Sequence, residues 1–322
     1  MREVRKDPRS TVEAMVDDAI VKDNPRGARL PRLIGHFWAI SEEWGYERSR
    51  DARGVEMRHE LTQDQIGFYR ENGYLVIEGF LDGRELDEWR QYTGEAVAQR
   101  LESKTMNNQQ GQDDYYARVF TQCLRLADTH EGMHRLMFDR RLGKMAATLA
   151  GIDAVRIWHD QALIKPPHGN PTAWHLDNPY WSFSSRDSLS IWVALDDATL
   201  SNGCMYYVPG SHKAARFESC GIGTDQGALF KLYPEWSSIE TAPCPCPAGS
   251  AVWHNGLTAH GAGANMTPHA RRAMTCGYMP DGSTFNGVRN ILPEEYFEAL
   301  RIGDVLDNEI QNPLIYSRGR DG

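Results

Sequence analysis

The fold is decided by a series of short apolar runs, and SLSIWVALD (188–196) and GCMYYVPGS (203–211) lie in the middle of the series. Similar runs, rich in Val, Ile, Trp and Tyr, lie on either side: AVRIWHD (154–160), QALIKPP (161–167), GSAVWHN (249–255) and RAMTCGYMP (272–280). Pro, Gly and Asn separate these runs. Short strands with turn signals between them are typical of antiparallel sandwiches and barrels. We therefore predict a mainly β fold after Gly151, either a barrel or a jelly roll.

The chain before this region has a different pattern of apolar and capping residues, which indicates flanking helices. Thr62 and Gln65 have the spacing of a capping box, so a short helix is predicted to begin there. An apolar strand is predicted from Tyr74 to Ile77, and a second helix from about Gly83.

We divide the chain into an N-terminal extension (1–60) and one domain (61–322). The extension is polar, with a weakly helical apolar stripe from Leu30 to Trp44, and we expect it to pack on the core. The domain is predicted to contain a helical part (61–150), a jelly-roll part (151–285) and a C-terminal helical cap (286–322). Pro293 and the two Glu residues after it are typical of a helix start in the cap.

Composition and charge narrow the range of partners. Of the 322 residues, 41% are hydrophobic and 25% charged, which is ordinary for a globular protein and excludes a wholly disordered chain. No apolar run approaches the ~18 residues that a bilayer span needs, so we expect no membrane partner. The net charge of −9 argues against a nucleic acid, because phosphate contacts need clustered Lys and Arg. Of these classes of partner, we therefore expect a small molecule.

The six cysteines are predicted to be free thiols. The charged N-terminus leads into no apolar secretory segment, so a reducing cytoplasm is the expected location. Cys244 and Cys246 lack the second cysteine pair that a zinc site usually needs. We expect a cytoplasmic monomer or homodimer.

A metal site is indicated by His175 and Asp177, which follow a β run and a loop rich in Pro and Gly. Side chains at i and i+2 of an extended segment share one face, so both could reach one ion. Two His and one carboxylate leave open positions on the metal and suit non-haem Fe(II). The candidates for a third ligand are His212, His254, His260 and His269.

At this point the sequence resembles the phytanoyl-CoA dioxygenase family of Fe(II)/2-oxoglutarate oxygenases. The resemblance covers about residues 61–285 and rests on four segments: LTQDQIGFYRENGYLVIEGFLD (61–82), AWHLDNPYWSF (173–183), IWVALDDATLSNGCMYYVPGSHK (191–213) and HGAGANMTPHAR (260–271). It implies a double-stranded β-helix core (jelly roll, cupin-like), with Fe(II) as the metal, 2-oxoglutarate as cosubstrate and O₂ as oxidant.

The resemblance also implies roles for particular residues. His175, Asp177 and His260 become the metal ligands, and His254 is set aside as a strand-end residue. Arg271, eleven positions after His260, is implied to grip the distal carboxylate of 2-oxoglutarate, a task for which a planar guanidinium is suited. Three further residues match family positions near the cosubstrate: Gln161, Lys165 and Trp192.

The expected substrate and its binding residues follow from the same segment of the sequence as the proximal ligands. We expect hydroxylation of an unactivated C–H bond in a small or medium-sized organic metabolite, and the intact Asp177 favours hydroxylation over halogenation within this resemblance. Residues after the proximal ligands are predicted to form a wall for this substrate: Asn178, Tyr180, Trp181, Phe183 and Arg186. Nothing resembles a basic patch for coenzyme A.

Two alternatives stay open from the sequence. One is a non-catalytic barrel that binds a small ligand. The other is a metal-dependent barrel of different chemistry, such as a 2-oxoglutarate-independent dioxygenase or an isomerase. Arg271 favours the oxygenase, since neither alternative needs a guanidinium placed for a five-carbon diacid.

Overall fold

The computed structural model describes residues 60–108, 115 and 118–321. The helices are α1 (Gln63–Asn72), α2 (Gly83–Ser103), α3 (Glu131–Met137), α4 (Arg140–Ala150), α5 (Ser211–Ala214), α6 (Ala228–Leu232), α7 (Glu294–Ala299) and α8 (Arg318–Asp321). The strands are β1 (Tyr74–Ile77), β2 (Thr121–Leu124), β3 (Ala154–Lys165), β4 (Thr172–His175), β5 (Leu189–Ala194), β6 (Met205–Tyr207), β7 (Ala242–Cys244), β8 (Ala251–Asn255), β9 (His260–Ala262), β10 (Arg271–Pro280) and β11 (Leu314–Ser317).

The strands form two antiparallel sheets, as the sequence predicted. The larger has the order β1-β8-β5-β10-β3-β11, with β2 also paired to β3. The smaller has the order β4-β9-β6-β7. Strand β10 is central to the large sheet, and its Thr275 lies between Gln161 of β3 and Trp192 of β5. The jelly-roll prediction is confirmed.

Strand alternation divides the large sheet into two faces. On β5, Val193 packs into the main core against the N-terminal helices, whereas Trp192 packs into the second core between the sheets. On β1, Leu75 and Tyr74 divide in the same way. The helices thus cover one face of the large sheet, and the other face is left to line the interior of the jelly roll.

Helix α1 begins at the predicted capping box. The Thr62 hydroxyl accepts from the amide of Gln65 (3.1 Å), and the Gln65 side chain accepts from the amide of Thr62 (3.0 Å). Gly73 ends the helix with φ of 82°, where a Cβ would lie 2.3 Å from the hydroxyl oxygen of Thr258. This tight left-handed turn sends the chain directly into β1.

Two strands occur where the sequence predicted helix. β2 lies in the part predicted to be helical, and β11 lies in the C-terminal cap. Both are four-residue segments that pair with β3, so their conformation comes from a distant partner and not from a local pattern. The predicted extension (1–60), including Leu30–Trp44, lies outside the described residues apart from its last position.

The structure describes all six cysteines as free, and five of them are buried. None of the helices in the described part of the chain is both long enough and apolar enough to cross a bilayer.

Candidate active site

Three potential metal ligands meet between two paired strands. His175 ends β4 and lies directly opposite His260, which begins β9. Asp177 follows two residues after His175, and its Oδ1 lies 3.6 Å from Nε2 of His175 and 3.7 Å from Nε2 of His260. The three ligand atoms lie within 4.8 Å of one another. The sequence-predicted triad is therefore brought together.

Both histidines are oriented by their own backbone. Nδ1 of His175 donates to the carbonyl of Ala173 (2.8 Å), and Nδ1 of His260 donates to the carbonyl of Thr258 (2.9 Å). A carbonyl can only accept, so each Nδ1 carries a proton, and each Nε2 faces Asp177. Burial, followed by the nearby His175, lowers the pKa of His260 well below its usual value, which keeps the ring neutral.

The second carboxylate oxygen of Asp177 is held by hydrogen bonds. Oδ2 accepts from Nε2 of His254 (3.1 Å) and from the hydroxyl of Ser190 (3.4 Å). Nδ1 of His254 in turn lies 3.2 Å from the Tyr207 hydroxyl. Burial works to raise the pKa of Asp177, but the surrounding imidazoles, His260 foremost, outweigh it and hold that pKa well below its usual range.

This arrangement fits a divalent iron. Two imidazoles and one carboxylate oxygen converge from one side, which is the ligand set of non-haem Fe(II) sites with open positions. His254 contacts Asp177 rather than joining the set, so it supports a ligand and does not replace one.

Arg271, at the start of β10, provides the second half of the site. It is buried, and its Nη2 donates to the carbonyl of Gly203 (3.2 Å). Its Nε and Nη1 have no hydrogen-bond partner among the described residues. Burial lowers its pKa to about 10, so the group stays charged at neutral pH. A buried cation with two open donors fits a carboxylate such as that of 2-oxoglutarate.

The other predicted cosubstrate residues surround Arg271. The guanidinium lies 5.1 Å above the ring of Trp192, which lines the same cavity. Gln161 also lines the cavity and accepts a hydrogen bond from Gln122. Lys165 lies opposite Arg271 in the register of β3 with β10 and is fully buried, but it is not part of the cavity wall. Its ammonium donates to the carbonyl of Asn170 (2.6 Å), and burial, aided by Arg271, lowers its pKa to about 7.

A cavity of about 500 Å³ joins the triad to Arg271. Tyr180 and Trp181 line it, as expected from the sequence. Asn178, Phe183 and Arg186 do not line it, although the sequence assigned them to the substrate wall.

Each of these three side chains is engaged elsewhere. Asn178 begins a single helical turn and accepts from the amide of Ser185. Phe183 is fully buried beside Trp158, with ring centroids 5.3 Å apart. Arg186 donates to two backbone carbonyls of the α5 region. The helical turn breaks strict strand alternation, so the segment does not present every second residue to the cavity.

Sequence reasoning missed several residues of the cavity wall. They are Phe120, Gln122, His159, Ile222, Asn290 and Ile291, among others. One of them could have been found, because AVRIWHD and QALIKPP form a single strand, β3, in which His159 lies two positions before Gln161. The others come from loops or short strands that no local pattern ties to the site.

Known proteins match this chain in both sequence and structure. The family model for phytanoyl-CoA dioxygenase (PhyH) matches residues 69–273. Phytanoyl-CoA dioxygenase domain-containing protein 1 of Mus musculus is 26% identical over 269 residues, covering 70% of this chain and 92% of the mouse protein.

Solved structures with this fold include two enzymes of nogalamycin biosynthesis. The non-heme alpha ketoglutarate dependent carbocyclase SnoK has a TM-score of 0.66 and 27% identity, covering 81% of this chain and 99% of its own. The corresponding epimerase SnoN has a TM-score of 0.61 and 26% identity, covering 79% and 98%. These matches do not support the non-catalytic and 2-oxoglutarate-independent alternatives. The chain belongs to the phytanoyl-CoA dioxygenase family and is an enzyme that uses Fe(II), 2-oxoglutarate and O₂.

Proposed function

We propose that this enzyme hydroxylates an unactivated C–H bond of a small or medium-sized organic metabolite. The overall reaction converts substrate, 2-oxoglutarate and O₂ into hydroxylated substrate, succinate and CO₂. The observation that carries the proposal is the pairing, in one cavity, of the converging triad with the open donors of Arg271.

We assign roles to the residues of this cavity as follows. His175, Asp177 and His260 hold the metal, which when bound supplies the redox chemistry with O₂. Arg271 binds the distal carboxylate of 2-oxoglutarate, with Trp192 beneath it and Gln161 and Lys165 nearby. Because Arg271 is buried within the paired strand β10, it would orient the cosubstrate relative to the triad.

The presence of Asp177 supports oxygen transfer as the outcome. Its Oδ1 is directed at both imidazoles and its Oδ2 is fixed by two hydrogen bonds, so the carboxylate is positioned to occupy a metal site. A carboxylate held in this way leaves no place for a halide in the same position.

A second candidate outcome has a specific observation in its favour. The related enzymes SnoK and SnoN are described as a carbocyclase and an epimerase, so the same fold supports ring closure and inversion as well as hydroxylation. Product mass separates these outcomes, because hydroxylation adds one oxygen, ring closure removes two hydrogens and epimerisation changes neither.

The experiment that tests the proposal measures succinate formed from 2-oxoglutarate under air, with Fe(II) and ascorbate, in the purified protein. We expect O₂-dependent succinate release that a metabolite extract stimulates, and its loss in His175→Ala and His260→Ala. A product with one added oxygen supports hydroxylation. Absence of succinate from iron-loaded protein would contradict the proposal.

We also propose a cytoplasmic location and a monomeric or homodimeric state. The free thiols support a reducing environment, since five of the six are buried within the fold as ordinary apolar residues. Light scattering coupled to size-exclusion chromatography tests the oligomeric state, and any larger assembly would contradict this expectation.

A further inference from the structure

The cavity has two chemically different ends, which the register of β10 separates. Arg271 pairs with Lys165 at one end, whereas Gly277 pairs with His159 at the other. Gly277 follows Arg271 by six positions on an extended strand, a distance of roughly 20 Å. A five-carbon diacid held by Arg271 therefore leaves the His159 end to another molecule.

His159 lies in the same row of the sheet as a residue that fixes the metal ligand. Ser190, Gly277 and His159 are direct neighbours across β5, β10 and β3, and the Ser190 hydroxyl donates to Asp177. Adjacent strands lie about 4.8 Å apart, so His159 is two strand spacings from Ser190, roughly 10 Å. A molecule that meets His159 is thus held beside the triad.

Strand alternation places His159 on the cavity side of β3 together with Gln161, and a β-bulge lies directly next to it. Gly277 pairs with His159 and the next residue, Tyr278, pairs with Ile157, which leaves Trp158 as an extra residue on β3. Trp158 packs in an aromatic cluster while the adjacent His159 lines the cavity. Bulges of this kind re-aim side chains and are common beside active sites.

His159 has hydrogen-bonding capacity that the described residues do not use. It is 9% exposed, and no described residue forms a hydrogen bond with either ring nitrogen. The rings of Trp158 and Trp181 lie near it in T-shaped contacts, with ring centroids at 6.2 and 6.4 Å. Burial lowers its pKa to about 4, so at neutral pH the ring is uncharged and offers one donor and one acceptor.

Trp181 provides a flat apolar surface beside His159. Trp181 lines the cavity close against β10, where a Cβ on Gly277 would lie 3.3 Å from its ring. Ile222 and Ile291 also line the cavity. Among the described residues of the wall, Arg271 is the one Lys or Arg side chain, and the cosubstrate occupies it. A second anionic group in the cavity would therefore find no further Lys or Arg among the described wall residues to pair with, which disfavours its burial.

We propose that His159 is the residue that recognises the substrate, through a hydrogen bond with an uncharged hydroxyl or carbonyl group. The flat apolar part of the same substrate lies on Trp181, and the portion that enters the cavity carries no negative charge. This inference rests on the proposed function, because it takes Arg271 to be engaged by 2-oxoglutarate.

Three probes of one shape test the inference: 2-indanol, indane and 2-indanyl phosphate. Binding is measured by ligand-observed NMR on protein loaded with Zn(II) and 2-oxoglutarate, so that no turnover occurs. We expect 2-indanol to bind about 5-fold more tightly than indane, as one neutral hydrogen bond allows. The phosphate is expected to bind at least ~10-fold more weakly than 2-indanol.

The variant His159→Phe should remove the preference for 2-indanol over indane, and His159→Gln, which keeps a donor and an acceptor, should retain part of it. The matched control is His134→Phe, an exposed histidine on α3, which should leave the preference intact. The inference is overturned if wild-type protein shows no preference for 2-indanol, if the phosphate binds as well, or if His159→Phe keeps the preference.

Failure of this inference is distinguishable from failure of the proposed function. Succinate release by the wild-type enzyme tests the iron and 2-oxoglutarate chemistry without any indanyl probe. Normal succinate release with a reversed order of probe binding refutes only the role of His159. Absent succinate release refutes the proposed function itself.

Discussion

Replacement of Arg271 by Ala should weaken 2-oxoglutarate binding far more than any other single change on β10. The guanidinium is buried, its Nε and Nη1 lack partners among the described residues, and its Nη2 donates to one carbonyl at 3.2 Å. Removing one partner of a buried ion pair costs ~3–5 kcal/mol. Since each ~1.4 kcal/mol is a factor of ten, the dissociation constant should rise by roughly two to three and a half orders of magnitude.

The adjacent Arg272 provides the matched control. It faces away from the cavity and pairs with Asp196 through two contacts of 2.9 and 2.7 Å. Because its side chain faces away, Arg272→Ala should change 2-oxoglutarate affinity by less than ~3-fold. It should reduce the free energy of unfolding by only ~1 kcal/mol, since a partly exposed ion pair contributes little.

Calorimetric titration of 2-oxoglutarate into iron-loaded protein, kept free of O₂, measures both affinities. Arg271→Lys adds a third point, since it keeps the charge but loses the planar fork, and it should fall between wild type and Arg271→Ala. If Arg272→Ala weakened binding as much as Arg271→Ala, the register of β10 would be shifted by one residue. Every assignment of residues facing the cavity would then be wrong.

Three further predictions test neighbouring parts of the site. His254→Phe removes a hydrogen bond to Asp177, so iron affinity measured by chelator competition should fall ~10- to 100-fold, and unchanged affinity would argue against that support. Gly203→Ala should lower the midpoint temperature of unfolding, because Gly203 has φ of 90° and a Cβ there would lie 2.6 Å from a backbone oxygen. The control Gly94→Ala, in open space on α2, should not lower it. In the folded state the pKa of Lys165 is about 7, below its unfolded value, so above pH 7 the unfolded state binds more protons and the stability of the wild type should rise with pH. Urea unfolding at a series of pH values should therefore show the wild type gaining stability relative to Lys165→Met above about pH 7. A difference in stability that does not change with pH would contradict this.

The parts of this protein that the sequence predicted are those with local causes. The capping box at Thr62 and the strand from Tyr74 follow from neighbouring residues, and both are present in the structure. The His175–Asp177 spacing placed two ligands on one segment for the same reason. Strands β2 and β11 were missed because their pairing partner, β3, lies far away in sequence.

The same distinction separates His254, whose role depends on distant pairing, from His159, which had a local signal. His254 lies six residues before His260, and only the pairing of β8 with β5 brings it to the carboxylate of Asp177. His159 lies two positions before Gln161 on the same strand, and the pairing of β3 with β10 is regular between them, so simple alternation places both side chains on the cavity face. The bulge comes only after His159 and belongs to a pair of strands, so no single run of residues encodes it.

The metal site itself combines both kinds of cause. Each histidine of the proposed ligand set contacts the carbonyl two residues before it, Ala173 for His175 and Thr258 for His260, so its ring orientation is a local property of the strand. The orientation of Asp177, in contrast, depends on His254, a residue of the other sheet. Substitutions near the histidines should therefore act on single ligands. Changes in the packing of the large sheet against the small one should alter the carboxylate, and with it the geometry of all three ligands together.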